Sequence, residues 1–408
     1  MKSQAESAQI WRPGASVFPF LKGRVALYAI LKAAGIGPGD EVIVPGYTCV
    51  VVPAAIGYTG ARPLFHDVQA DTFNGDPAGA AALVGPRTRA IIVQHTYGAP
   101  ADIRGLVELC RDRGILVIED CAHAMCAATG DGAVGELGHA AFGSLQWSKP
   151  VTTGLGGLAR ANDAALASSL RRLVADSFDE PTILQSLSLL VLTTAYRRCF
   201  RPGLFWAARD AYRWLGARGF VSGSSSPAEL LGPAMPAGYA KRFGRLRSRQ
   251  ISGALDALPA ASAHRTLIAG IYERWADNHG FHRQRILAGS RSSHLRFPLL
   301  VSDRDGVLAA ARAARIEIGD WFNAPLHPAD ASGEAFGYEP GRCPVADRIS
   351  RQVINLPTHR RIDPAEAARI LRFLDDRCDL IVRASGERIA GGPGHAHDPL
   401  CERAADAP

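Results

Sequence analysis

The chain has 408 residues, 47% hydrophobic and 21% charged, with a formal net charge of +7. That balance excludes disordered and fibrous classes and leaves room for one large domain plus a smaller one. The positive charge is carried by dispersed arginines, with no basic tail or nucleic-acid motif, and no apolar run is long enough to span a bilayer.

The N-terminus, MKSQAESAQIW, has neither the basic start nor the apolar stretch of a signal peptide, which predicts a cytoplasmic protein. Residues 25–34 read as a helix ending near Gly35. Short buried strands follow at 40–45, 63–68, 89–94 and 115–119, with a helix of apolar periodicity at 103–113 stopped by Gly114. Strand, helix, strand in this rhythm predicts an α/β fold with a mostly parallel sheet covered on both faces.

Residues 178–235 break the rhythm with a leucine-rich stretch, then aromatic and basic residues through Trp206, Tyr212 and Trp214, and a Gly/Ser-rich end. They read as an amphipathic helical hairpin that packs in the core or between subunits, with contact to a membrane surface as the other reading. Beyond it come a helix over 251–258, a strand over 295–301, and helices at 307–314 and 364–373, a smaller α+β unit. The last residues, 386–408, read as a disordered tail whose His395 and His397 are too sparse for a metal site. The cysteines at 49, 110, 121, 126, 199, 343, 378 and 401 have no CxxC spacing, so reduced thiols are expected and no metal.

Only five residues are lysine, against 41 arginines among the 46 basic residues. Where arginine meets nearly every need for positive charge, a retained lysine suggests an amine that must lose its proton. Lys149 is such a residue, ahead of the glycine-rich TGLGG at 153–157. The fourth strand ends in Asp120, with His123 after it, at the edge where parallel sheets bind ligands. Taken alone, Asp120 reads first as a helix N-cap and His123 as a structural histidine. Together with Lys149 they match pyridoxal phosphate chemistry, which needs a lysine for the cofactor aldehyde, an acid for the ring nitrogen and donors for the phosphate. Ser144, five residues before the lysine, is a candidate for the phosphate.

The ordered blocks GPGDEVIVPGYT (37–48), YTGARPLFHD (58–67), PRTRAII (86–92), HTYGAPAD (95–102), VIEDCAHA (117–124), SLQWSK (144–149), CPVADR (343–348) and NLPTH (355–359) resemble the DegT-type nucleotide-sugar aminotransferases. The resemblance covers roughly residues 20–375 and implies the fold of type I pyridoxal phosphate enzymes. It divides the chain into an arm (1–20), a cofactor domain (21–250, with the insertion) and a small domain (251–385). It also implies a homodimer. By the same resemblance Lys149 is the Schiff-base lysine, Asp120 the partner of the ring nitrogen, His123 a neighbour of its phenolic oxygen, and Ser144 a phosphate contact.

Three positions depart from the family pattern. The phosphate turn reads Lys22-Gly23-Arg24-Val25 in place of Ser/Asn-Gly-Thr-Ala, which leaves the backbone amides of Arg24 and Val25 and the Arg24 side chain to serve. Cys49 stands where an aromatic residue stacks on the cofactor ring, with Tyr47 as a possible substitute. The Asn lent to the partner subunit has no clear match over 241–250. The implied activity is transfer of an amino group from L-glutamate to a keto-sugar, nucleotide-linked, for surface polysaccharide or secondary-metabolite sugars. A sugar dehydratase is disfavoured because such members carry His in place of the lysine. A binding, regulatory or assembly protein on this fold is the reading from another class.

Overall fold

The computed structural model describes residues 1–199, 206, 207, 210, 229 and 231–384. The tail expected at 386–408 and most of the second half of the insertion lie outside the described residues.

Seven strands form the main sheet in the order β1-β8-β7-β6-β5-β2-β4. They are β1 (Val17–Phe20), β2 (Glu41–Pro45), β4 (Arg62–His66), β5 (Thr88–Gln94), β6 (Leu116–Asp120), β7 (Ala140–Ser144) and β8 (Gly157–Ala161). From β4 to β7 all neighbours run parallel, and β8 lies antiparallel between β7 and β1. Runs such as EVIVP in β2 and AAFGS in β7 are buried at every residue, as expected of strands covered on both faces. One face is covered by α2 (Gly23–Ala33), which packs on β8 and β7, together with α3 (Val51–Gly57) and α6 (Ala164–Ser177). The other is covered by α4 (Pro77–Ala82) and α5 (Arg104–Arg111), and at the β7–β8 end by α1 (Gln4–Gln9). Helix α7 (Ile183–Cys199) opens the insertion.

The helix expected from 251 to 258 or beyond runs on as the 31-residue α8 (Ser248–Asn278), straight through Pro259. A proline inside a helix removes one hydrogen bond and costs about 3 kcal/mol. It is tolerated because α8 spans two cores: Ile251, Leu255 and Leu258 pack against the β7–β8 side of the sheet, while Ile268, Tyr272 and Trp275 pack in the C-terminal unit. That unit is an antiparallel pair, β9 (Arg296–Leu300) with β11 (Val353–Pro357), backed by α9 (Arg304–Ala313) and α11 (Pro364–Asp375). Between them in the chain, the two-residue β10 (Leu326–His327) returns to pair with β3 (Thr48–Cys49) of the large unit, and α10 (Pro344–Gln352) leads into β11.

Glu119 and Asp120 are adjacent in sequence, but the two-residue period of a strand sends them to opposite faces. Glu119 is fully buried and accepts from the amides of Gly135, Leu137 and Gly138, each at 2.8 Å, and from His95 Nε2 at 3.2 Å. It therefore anchors the turn that feeds β7. Glu119→Gln keeps the shape and forfeits the charge on these bonds. It should lower the unfolding free energy by roughly 2–4 kcal/mol in urea titration, and an unchanged midpoint would remove Glu119 from this role.

Candidate active site

Four residues singled out in the sequence converge at the carboxyl edge of β6 and β7. Asp120 is the last residue of β6 and is 6% exposed; no helix starts there, so the N-cap reading is not realised. Its Oδ1 accepts from the Ala122 amide at 2.9 Å. Burial pushes its pKa up, opposed by that amide and by the charge of Lys149. His123 lies in the following turn, where Nδ1 accepts from the Tyr97 amide at 3.2 Å, leaving the imidazole proton on Nε2. Burial, then the cations Lys149 and Arg296, hold this imidazole well below its usual pKa and so neutral.

Lys149 sits on the loop joining β7 to β8. Burial lowers its amine to about 8, with Asp120 acting in the opposite direction. The loop is fixed by its carbonyl groups. Buried Arg247 donates to Thr153 O at 2.5 Å and Leu155 O at 2.9 Å, and α7 supplies Thr193 Oγ1 to Thr153 O (3.1 Å) and Tyr196 OH to Trp147 O (3.2 Å). The lysine is thus held from two sides before any ligand arrives.

Ser144 ends β7 opposite Gly157 of β8. The first turn of α2 rests on this pair: a Cβ on Gly23 would lie 3.3 Å from Ser144 Cβ, and one on Gly157 would lie 2.3 Å from Lys22 O. Two glycines thus let a helix N-terminus approach a strand-end hydroxyl, and Lys22 provides no side-chain cap. This is a cradle suited to a phosphate dianion, with the amides at Arg24 and Val25 in the first turn. The Arg24 guanidinium itself pairs with Glu229 of the insertion, fully buried, which also accepts from Tyr239 OH (2.5 Å) and Tyr58 OH (3.1 Å). Lys22 joins the same cluster, 3.8 Å from Glu229, and burial lowers its amine to about 8.

Cys49 pairs with His327 across β3 and β10 and lies within the fields of Arg24, Lys149 and Asp120; burial raises its thiol pKa. Tyr47 is buried in an aromatic cluster, its hydroxyl 2.7 Å from that of Tyr97 and its ring edge-on to Phe322 at 5.3 Å. The aromatic ring next to the lysine is instead Trp321, with Lys149 Nζ 4.7 Å from its centroid and His123 5.2 Å away. Trp321 is held by Asn355 Oδ1, which accepts from its amide at 2.7 Å, and its carbonyl accepts from Tyr97 OH. Arg296, at the start of β9, lies 4.9 Å from the same ring, and its buried Nε has no hydrogen-bond partner. Neither residue was anticipated. The available signals were a Trp-Phe pair between Asp320 and Asn323 and a charged residue inside an apolar strand.

A mostly parallel sheet with a lysine loop after β7 and an acid at the end of β6 defines the class as the type I pyridoxal phosphate transferase fold. The DegT/DnrJ/EryC1/StrS aminotransferase family matches residues 20–197 and 210–375, and the chain belongs to that family. GDP-perosamine synthase of Caulobacter vibrioides is 42% identical over 157 residues, which is 38% of this chain and 42% of that protein. UDP-N-acetyl-3-dehydro-alpha-D-glucosamine 3-aminotransferase of Acidithiobacillus ferrooxidans is 28% identical over 350 residues, covering 85% of this chain and 80% of its own length. Among solved structures, the aminotransferase TlmJ of Streptoalloteichus hindustanus is 25% identical with a TM-score of 0.66, covering 91% of this chain and 88% of its own. DesV of S. venezuelae, 23% identical, has a TM-score of 0.70, covers 93% and 90%, and supports the fold.

Proposed function

We propose that this chain is a pyridoxal phosphate-dependent aminotransferase that moves an amino group from L-glutamate to the keto group of a nucleotide-linked sugar. The observation that carries this reading is the meeting of Lys149 and His123 at the Trp321 ring, 4.7 Å and 5.2 Å from its centroid, where Asp120 ends β6. Pyridoxal phosphate, when bound, supplies an aldehyde for amine capture and an electron-withdrawing ring. Lys149 Nζ holds and returns the proton at the reacting carbon in both halves of the reaction. Asp120 would hold a negative charge for the ring nitrogen, and His123, neutral with its proton on Nε2, would offer a donor to the phenolic oxygen. Ser144 and the first turn of α2 would hold the phosphate. Trp321 supplies the aromatic ring beside Lys149 and His123, a contact that Cys49 is too small to make. The keto-sugar half of the reading is supported by the two relatives, both named for sugar products or substrates.

Arg296 is the group we assign to the donor carboxylate: a cation near Lys149 whose Nε is buried without a partner. The test is the first half-reaction, glutamate against cofactor-loaded protein, followed by formation of 2-oxoglutarate. Arg296→Gln should raise KM for glutamate about 10- to 100-fold and change kcat much less, the cost of one charge-assisted pair. If the unaltered protein forms no 2-oxoglutarate, the donor is wrong. If Arg296→Gln behaves as wild type, the carboxylate is bound elsewhere. A panel of nucleotide-linked keto-sugars offered to the amine-loaded protein then reads the acceptor.

A further inference from the structure

Two guanidinium groups on the Lys149 side of the small unit have donors that no protein group takes up. Arg296 lies against the same Trp321 ring as Lys149, yet among the described residues it makes no hydrogen bond or ion pair, and its Nε is buried. Arg265, on α8, is 5% exposed and donates only through Nη1, to Leu295 O at 2.8 Å and Thr358 Oγ1 at 2.9 Å. Leu295 precedes Arg296 in the chain, so Arg265 is anchored where β9 begins. Burial, then the charges of Arg296 and Arg361, push the pKa of Arg265 down, as expected of a cation without a counter-ion. A guanidinium carries a fork of N–H donors, and leaving most of them unused in a buried place is costly unless a ligand takes them.

The carboxylates nearby are engaged elsewhere. Glu317 and Asp320 act on Arg296 through their fields. Glu317, however, accepts from His359 Nε2 at 2.8 Å and Arg361 Nη2 at 3.1 Å, and Asp320 accepts from Asn323 Nδ2 at 3.2 Å. The neighbouring arginines have partners of their own or face water: Arg361 has Glu317, Arg247 has the carbonyl groups of the lysine loop, and Arg360 is exposed. The donor proposed above carries two carboxylates, of which Arg296 is assigned one. The other would be buried beside it without a counter-charge unless Arg265, the adjacent cation with donors to spare, takes it. Resting on that reading of the reaction, we infer that Arg265 and Arg296 form one dicarboxylate site, in which Arg265 binds the side-chain carboxylate of the amino donor. Arg265 then selects glutamate over its neutral amide, glutamine, because an amide brings no charge to the guanidinium. The phosphates of the acceptor share this anionic chemistry, and the test separates the two sources.

Calorimetric titration of the cofactor-loaded protein with glutarate and with its monoamide, 4-carbamoylbutanoate, reads the second carboxylate without turnover. Glutarate should bind about 10- to 100-fold more tightly. Arg265→Met should shrink that ratio to about twofold or less while the monoamide keeps its wild-type affinity; a structural defect would weaken both ligands alike. Arg265→Lys, which keeps a cation, should restore part of the preference. The inference is overturned if the unaltered protein does not prefer glutarate, a result that needs no variant to fold, or if Arg265→Met keeps the preference. It is also overturned if Arg265→Met weakens binding of uridine diphosphate and leaves glutarate unchanged, which would give this arginine to the phosphates of the acceptor. Formation of 2-oxoglutarate from glutamate keeps the two readings apart. Product formed without a glutarate preference removes only the assignment of Arg265, whereas a preference that depends on Arg265 without any product upholds the dicarboxylate site and removes the aminotransfer reading.

Discussion

Lys149→Arg is expected to lower amino transfer by on the order of 10³-fold or more and to abolish borohydride-fixable attachment of pyridoxal phosphate, with the fold retained. Arginine keeps the positive charge beside Asp120 but stays protonated at every working pH, so it cannot act as a nucleophile or carry a proton between atoms. The pH dependence of the unaltered protein gives an independent check. Burial lowers the Lys149 amine to about 8, so the protonated form is lost as pH rises through that value. At pH 7 the neutral amine is far more abundant than for a solvent lysine. Cofactor attachment should therefore climb nearly tenfold per pH unit below 8 and level off above it, read as borohydride-fixed label on a peptide containing residue 149. Activity surviving in Lys149→Arg, or a label on another lysine, would remove the assignment.

Asp120→Asn should retain cofactor attachment and lower turnover about 10²- to 10³-fold, since a neutral amide cannot keep the ring nitrogen protonated. A second, purely electrostatic signature separates this from a structural defect. Asp120 raises the pKa of Lys149 against the dominant effect of burial. Removing the carboxylate charge takes away that opposition, so the midpoint of attachment should move to lower pH in Asp120→Asn. A midpoint that stays in place, or moves upward, would show that the two groups do not share a field in the folded protein.

Strands β2, β4, β5 and β6 were legible because fully buried parallel strands are continuous apolar runs, and such runs stand out in a sequence of mixed polarity; β7, whose AAFGS is short and made mostly of small residues, was not. Asp120 and His123 were legible for a related reason, since they end and follow the run of β6, whereas Ser144 and Lys149 were singled out by the rarity of lysine and the SLQWSK block. The length of α8 was not. A proline normally ends a helix, and only burial at both of its ends carries this one through Pro259.

Contacts between distant segments were also hidden. Trp321 reaches Lys149 because β10 pairs with β3 and Asn355 fixes its amide, and Arg247 reaches the lysine loop from the start of α8. Arg24, read from its neighbours as a phosphate ligand, has a carboxylate from more than 200 residues away against its side chain. The inverted polarity of α7 is of the same kind, for a leucine-rich helix reads as buried until the fold shows which side the body of the protein covers. The sequence alone determined the α/β class and pointed to Lys149 and Asp120 as the amine and acid proposed for the site, because those follow from local periodicity and residue chemistry. The tertiary structure decided which ring covers the amine, which arginine lies near it, and which face of the insertion meets solvent, because each depends on where chain segments far apart in sequence come to rest.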